Sequence, residues 1–189
     1  MDDNVDLHFP AGSAERVVRQ LFQAMLDLEI SPASVNEWGC RRPIIGIVHL
    51  SGGWDGFVLT GFEPSLAEAV ASHMMFPSAD LPSEEEVRDA VGEIANIVAG
   101  NLKCLIPALT HMSIPLVIEG TESRKMELRV SPVKRLCFTT VHGRFLLTLV
   151  PSGSGLSEEH DVYLTSHDER LQPTSLYASA SPKSPRRPS

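Results

Sequence analysis

The chain has 189 residues, 42% of them hydrophobic, which is long and apolar enough for one sizeable core and predicts one domain with a tail. Its 24 acidic against 16 basic side chains leave a formal charge of −8, which excludes broad electrostatic attraction to nucleic acid or to an anionic membrane and favours a protein partner or a small substrate. No run approaches the about 20 apolar residues needed to span a bilayer, and the N-terminal MDDNVDLHF lacks a basic region followed by an apolar run, so a cytoplasmic location is expected.

In chain order, Ala14–Ile30 carries Val17, Val18, Leu21, Met25 and Leu28 at helical spacing, which predicts a structural helix. Pro43–Leu50 and Gly56–Phe62 read as two strands of a hairpin around Ser51-Gly52-Gly53-Trp54-Asp55, whose glycines permit positive φ. A phosphate-cradling loop is the alternative there, but no G-x-x-x-x-G-K-[ST] string is present and no helix N-terminus follows directly. Trp54 is either exposed or a lid on the hairpin. Ser65 with Glu68 spells a capping box ahead of Leu66, Val70 and Met74, a second helix that covers the sheet. Phe76–Leu81 is a loop leading into the third helix.

That third helix is strongly marked. Ser83 is its N-cap, Glu86 the capping-box partner, and Glu84 and Glu85 sit in the first turn, where the helix dipole favours negative charge. Val87, Val91, Ile94, Val98, Leu102 and Leu105 project onto one stripe at about 100° per residue, and Asp89, Glu93, Asn96, Gly100 and Lys103 fall roughly opposite it. Gly92, Asn96, Gly100 and Asn101 are poor helix formers, an exposed interior glycine costing about 1 kcal/mol relative to alanine. Two explanations stand. Either other parts of the chain pack closely on Gly92 and Gly100 while Glu93 and Asn96 are merely solvated, or a partner approaches across Gly100 while Glu93 and Asn96, about 60° apart on the helix, reach into it.

After Pro107, Ile114–Ile118, Glu127–Val130, Lys134–Val141 and Arg144–Val150 have strand composition, the last two joined by His142-Gly143 in a meander. From Pro151 the apolar rhythm stops, and Pro151–Ser189 is rich in serine and proline, a composition expected to be disordered. Its basic end holds only Lys183, Arg186 and Arg187, little support for a nucleic-acid role. Cys40, Cys104 and Cys137 form no C-x-x-C and read as buried thiols rather than a disulfide framework or zinc site. The seven histidines show no H-E-x-x-H, and His73 beside Met74 reads as partly buried and structural. With no G-x-S-x-G elbow, covalent catalysis is not expected.

The string D-x-x-x-E-x-x-N followed by Gly-Asn, here Asp89, Glu93, Asn96, Gly100 and Asn101, resembles the signature helix of the CheC/CheX/FliY phosphatases, which act on phosphorylated CheY-like receiver domains. The order of elements from about residue 13 to 150 is most similar to the CheX type. The resemblance implies an α/β (α+β) domain at 13–150, an antiparallel sheet with helices packed on one face, and a homodimer. Residues 1–12 are then an N-terminal extension and 151–189 a tail outside the resemblance. CheC-type relatives carry two active-site helices, whereas this chain offers one. By the same resemblance Asn96 orients the attacking water and Glu93 pairs with a receiver lysine; Asp89 orients the helix, contacts the receiver or is simply solvated, Gly100, lacking a side chain, keeps the surface low enough for close approach, and Lys103 is placed with them as a partner-binding residue. The receiver brings its own Mg²⁺ and lysine, so no cofactor or metal is expected in this chain. Such a division of labour suits phosphoryl transfer, which needs mostly positioning and charge stabilisation. The competing expectation is a catalytically silent interaction module, like the middle domain of flagellar switch proteins, against which the presence of both Glu93 and Asn96 argues. A stand-alone small-molecule enzyme would lack any recognisable cofactor or nucleophile motif.

Overall fold

An antiparallel sheet, whose central strands are buried nearly throughout, and three amphipathic helices make a two-layer structure in the computed structural model, which describes residues 10–74, 81–120 and 134–152. The order is α1 (Ser13–Leu26), β1 (Ser31–Ala33), a 3-10 turn at Val35–Glu37, β2 (Ile44–Gly52), β3 (Gly56–Phe62), α2 (Pro64–Met74), α3 (Glu84–Lys103), β4 (Thr110–Met112), β5 (Leu116–Ile118), β6 (Lys134–Thr140) and β7 (Gly143–Pro151). The strands form one antiparallel sheet in the order β1-β6-β7-β3-β2-β4. The free edge of β2 is shared: β4 pairs with Leu50–Gly52 and β5 with Ile45–Ile47. This is the antiparallel sheet with helices on one face that the resemblance implies.

Period-two alternation sends Val48 and Leu50 of β2, Val58 and Phe62 of β3, and Phe145, Leu147 and Leu149 of β7 into one core with Val18, Phe22 and Leu26 of α1, Leu66 and Val70 of α2, and the apolar stripe of α3. Phe145 is its hub, with the rings of Phe22 and Phe62 each 5.0 Å away in edge-on contact. Among the described residues no helix is long and apolar enough to cross a membrane.

Several expectations need correction. α1 ends at Leu26, not Ile30, because Asp27 turns left-handed (φ 47°) and the Leu28 N–H closes back on the Phe22 carbonyl at 3.2 Å. The buried stripe is accordingly Ala14, Val18, Leu21, Phe22 and Leu26, and Met25 is 47% exposed. α2 begins at Pro64, whose missing N–H is least harmful in the first turn, so Ser65 is already inside the helix and cannot cap it. Its hydroxyl instead donates to the His142 carbonyl at 2.6 Å. Thr140 pairs with Gly143, so the β6–β7 turn consists of Val141 and His142, with Gly143 (φ 140°) beginning the strand beneath the Glu63 carboxylate.

Ile114 lies outside β5 and is 66% exposed. His73 is exposed, its ring bonded to the Ala69 carbonyl at 2.8 Å. Of the cysteines only Cys137 is buried, and burial raises its pKa; Cys104 is exposed and Cys40 half-buried. Trp54 proves to be a lid: it is buried, and its ring lies so close over Gly56 that a Cβ there would be 2.7 Å away. The strand expected at Glu127–Val130, most of the Phe76–Leu81 loop, and the segment after Ser152 lie outside the described residues.

Candidate functional site

α3 is built as its sequence dictates. The Ser83 N–H donates to Glu86 Oε2 at 2.6 Å and the Glu86 N–H returns to Ser83 Oγ at 3.3 Å, a complete capping box. Those bonds to Ser83 hold the Glu86 carboxyl below its ordinary value. Val87, Val91, Ile94, Val98 and Leu102 are buried as the stripe requires, and Leu105 packs against the core from beyond the helix end.

Besides its packing on α1 and α2, two contacts help fix how this helix sits. On its underside α3 crosses β2 at Gly46, where a Cβ would lie 2.6 Å from Ala95 Cβ, 2.8 Å from Thr60 Oγ1 and 3.2 Å from the Val91 carbonyl oxygen. Only a residue without a side chain lets the helix approach so closely. Along one flank runs β5: a Cβ on Gly92 would meet Val117 Cγ2 at 3.4 Å and Pro115 Cγ at 3.8 Å, and Arg88 pairs with Glu119 just past the strand.

With the underside and that flank occupied, the remaining arc carries the residues singled out in the sequence. Asp89 and Glu93 are exposed, and Asn96, Gly100 and Lys103 half-exposed. They run about 21 Å along the helix within about 80° of arc. Among the described residues, none of the Asp89, Glu93, Asn96 and Lys103 side chains has an ion pair or hydrogen bond. Asn101, by contrast, donates from its amide to the Ile97 carbonyl at 2.8 Å and is engaged with its own helix. The two glycines part company: Gly92 is buried and a Cβ there would be in ordinary contact with Val117 and Pro115, whereas among the described residues a Cβ on Gly100 would meet nothing within 4 Å.

The arrangement offers two exposed carboxylates, an amide with both donor and acceptor capacity and no partner among the described residues, and a flat spot one turn beyond, all on one helix. Among the described residues no group of three or more His, Cys, Asp or Glu side chains could hold a metal ion. The sequence reading missed Gly46 with Ala95 and the Arg88–Glu119 pair, which set the pose of α3. A glycine inside an apolar strand was the one available hint of a close backbone approach.

Residues 44–138 match the family described as Chemotaxis phosphatase CheX. No curated protein sequence matches the chain. Among solved structures, the chemotaxis protein CheX from Vibrio vulnificus superposes with a TM-score of 0.59 at 20% identity, covering 74% of this chain and 94% of its own. A CheC-like superfamily protein from Shewanella sp. PV-4 gives 0.60 at 20% identity, over 79% of this chain and 100% of its own. The CheX of a CheX-CheY-BeF3-Mg complex from Borrelia burgdorferi gives 0.52 at 20% identity, over 74% and 92%.

Proposed function

The chain belongs to the CheX family of chemotaxis phosphatases, and from that premise we propose that it hydrolyses the phosphoaspartate of a CheY-like receiver domain, with Asn96 orienting the attacking water and Glu93 pairing with a receiver lysine. The observation that carries the proposal is the pairing of opposites on α3: the stripe residues Val87, Val91, Ile94, Val98 and Leu102 are buried, while the Glu93 and Asn96 side chains have no partner among the described residues. A solved relative of the same fold occurs in complex with CheY, beryllofluoride and magnesium, which supports a receiver domain as the partner.

In this mechanism the receiver brings the acyl phosphate and the Mg²⁺ that neutralises it. The Asn96 amide accepts a hydrogen bond from a water and holds it in line with the phosphorus, contributing position rather than charge. Glu93 fixes the register by pairing with the receiver's cation, which places Asn96 over the phosphoryl group. Asp89, one turn earlier, adds negative charge to the same contact.

The test follows phosphate loss from a panel of phosphorylated receivers with Mg²⁺, with the wild type and Asn96→Ala in parallel. Asn96→Ala should bind the cognate receiver yet lose most of the acceleration, at least about 100-fold for a residue acting in the transition state. Asn96→Asp, which keeps the size but sets a carboxylate against the phosphoryl group, should do no better. Equal acceleration by wild type and Asn96→Ala would sink the mechanism. A wild type that binds a receiver tightly and accelerates none would make the chain a silent binding module.

A further inference from the structure

Gly100 stands out among the described glycines. α3 continues for three residues beyond it, and its carbonyl accepts the Cys104 N–H at 3.2 Å, so it lies within the hydrogen-bonded helix. A glycine there weakens the helix relative to alanine. Gly46 is demanded by Ala95, Gly92 lies under β5, and Gly12, Gly52, Gly120 and Gly143 have positive φ, but Gly100 has a helical backbone and open space where its Cβ would be. Nothing in the described chain asks for it. Three residues on, Lys103 lies on the same arc, about 20° from Asn96, and its side chain has no ion pair or hydrogen bond among the described residues. The helix dipole accounts for a basic residue in the last turn, but not for its placement in line with the acids.

The face is therefore polarised along its length, with Asp89 and Glu93 first, then neutral Asn96 and Gly100, then Lys103. We propose that this polarity fixes which way round the receiver docks: its main chain seats on Gly100, and it presents a carboxylate to Lys103 about 15 Å along the helix from the cation held by Glu93. A partner docked in the opposite direction meets like charges at both ends and is rejected. This rests on the receiver-phosphatase reading and adds to it the orientation of the complex and the two residues that enforce it.

The experiment measures dissociation constants and melting temperatures with a receiver domain loaded with beryllofluoride and Mg²⁺, taken as the panel member that the wild type binds most tightly. Gly100→Ala should melt about 3 °C higher and bind at least about tenfold more weakly, a stability gain joined to a binding loss that a purely structural glycine cannot give. Affinity should fall in the order wild type, Lys103→Gln, Lys103→Glu, the last about tenfold weaker at low salt and much closer to wild type at about 0.5 M salt, where charge contacts are screened. Binding of Gly100→Ala within about twofold of wild type, or of Lys103→Glu within about twofold at low salt, overturns the inference. If the wild type binds no receiver, the functional reading and this inference fall together. If Asn96→Ala hydrolyses like the wild type while Gly100→Ala and Lys103→Glu bind weakly, the catalytic assignment fails and the docking orientation stands.

Discussion

Glu93 projects from a helix whose opposite side is fully buried, so a change there should move recognition without touching the core. Glu93→Lys should leave the melting temperature within about 2 °C, as exposed substitutions do, and weaken hydrolysis through the second-order rate rather than through unfolding. Receiver binding and turnover equal to wild type in that variant would remove Glu93 from the site. A different residue contributes to acid sensitivity. Asp55 Oδ1 accepts the Ser152 hydroxyl at 2.7 Å and contacts His49 Nε2 at 2.9 Å, and these bonds, Ser152's first, hold its carboxyl below the ordinary value. Because the folded pKa is depressed, the stabilisation is present above the unfolded value and is lost as pH falls below about 4 toward the folded one. Asp55→Asn should flatten the fall in stability below about pH 4, as read from urea midpoints between about pH 5 and 2. Parallel pH profiles for the two proteins would show that Asp55 carries none of it.

At the scale of elements, two glycines of opposite kinds lie where α3 meets the sheet. A methyl on Gly46 would collide with Ala95 Cβ and Thr60 Oγ1 beneath the helix, so Gly46→Ala should cost about 1–3 kcal/mol by overpacking. Gly92→Ala would meet Val117 Cγ2 at 3.4 Å, an ordinary contact, and by removing a helical glycine should be neutral or stabilising by up to about 1 kcal/mol. Urea unfolding of both variants distinguishes them, and a Gly46→Ala protein as stable as wild type would show that α3 is not seated on β2 at this point. The start of α3 was legible because a capping box is local chemistry, written in four consecutive residues. β1 and β4, of three residues each, were not, since their pairing with β6 and β2 comes from residues distant in the chain and leaves no periodicity to read. The early end of α1 escaped for a related reason: Leu28 continues the apolar rhythm, but the left-handed turn at Asp27 carries it into the core from outside the helix.

For the whole molecule, the contacts of the last described strand reach past the point where the apolar rhythm of the sequence stops. β7 runs through Pro151, which pairs with Gly56, and Ser152 donates to Asp55 across the hairpin. Deleting residues 153–189 should leave the melting temperature unchanged, whereas deletion from Pro151 onward should lower it, and equal melting of the two truncations would show that these last contacts add nothing. By itself the sequence determined where the helices and long strands lie, that α3 separates an apolar stripe from a polar face, and that Glu93, Asn96 and Gly100 share that face, because each of these follows from spacing along one element. Only the tertiary structure decided which neighbours occupy the rest of α3's surface: α1 and α2, β2 at Gly46, β5 beside Gly92, and, among the described residues, nothing over Gly100. Those contacts join residues far apart in the chain, and a single sequence read along its length carries no term for them.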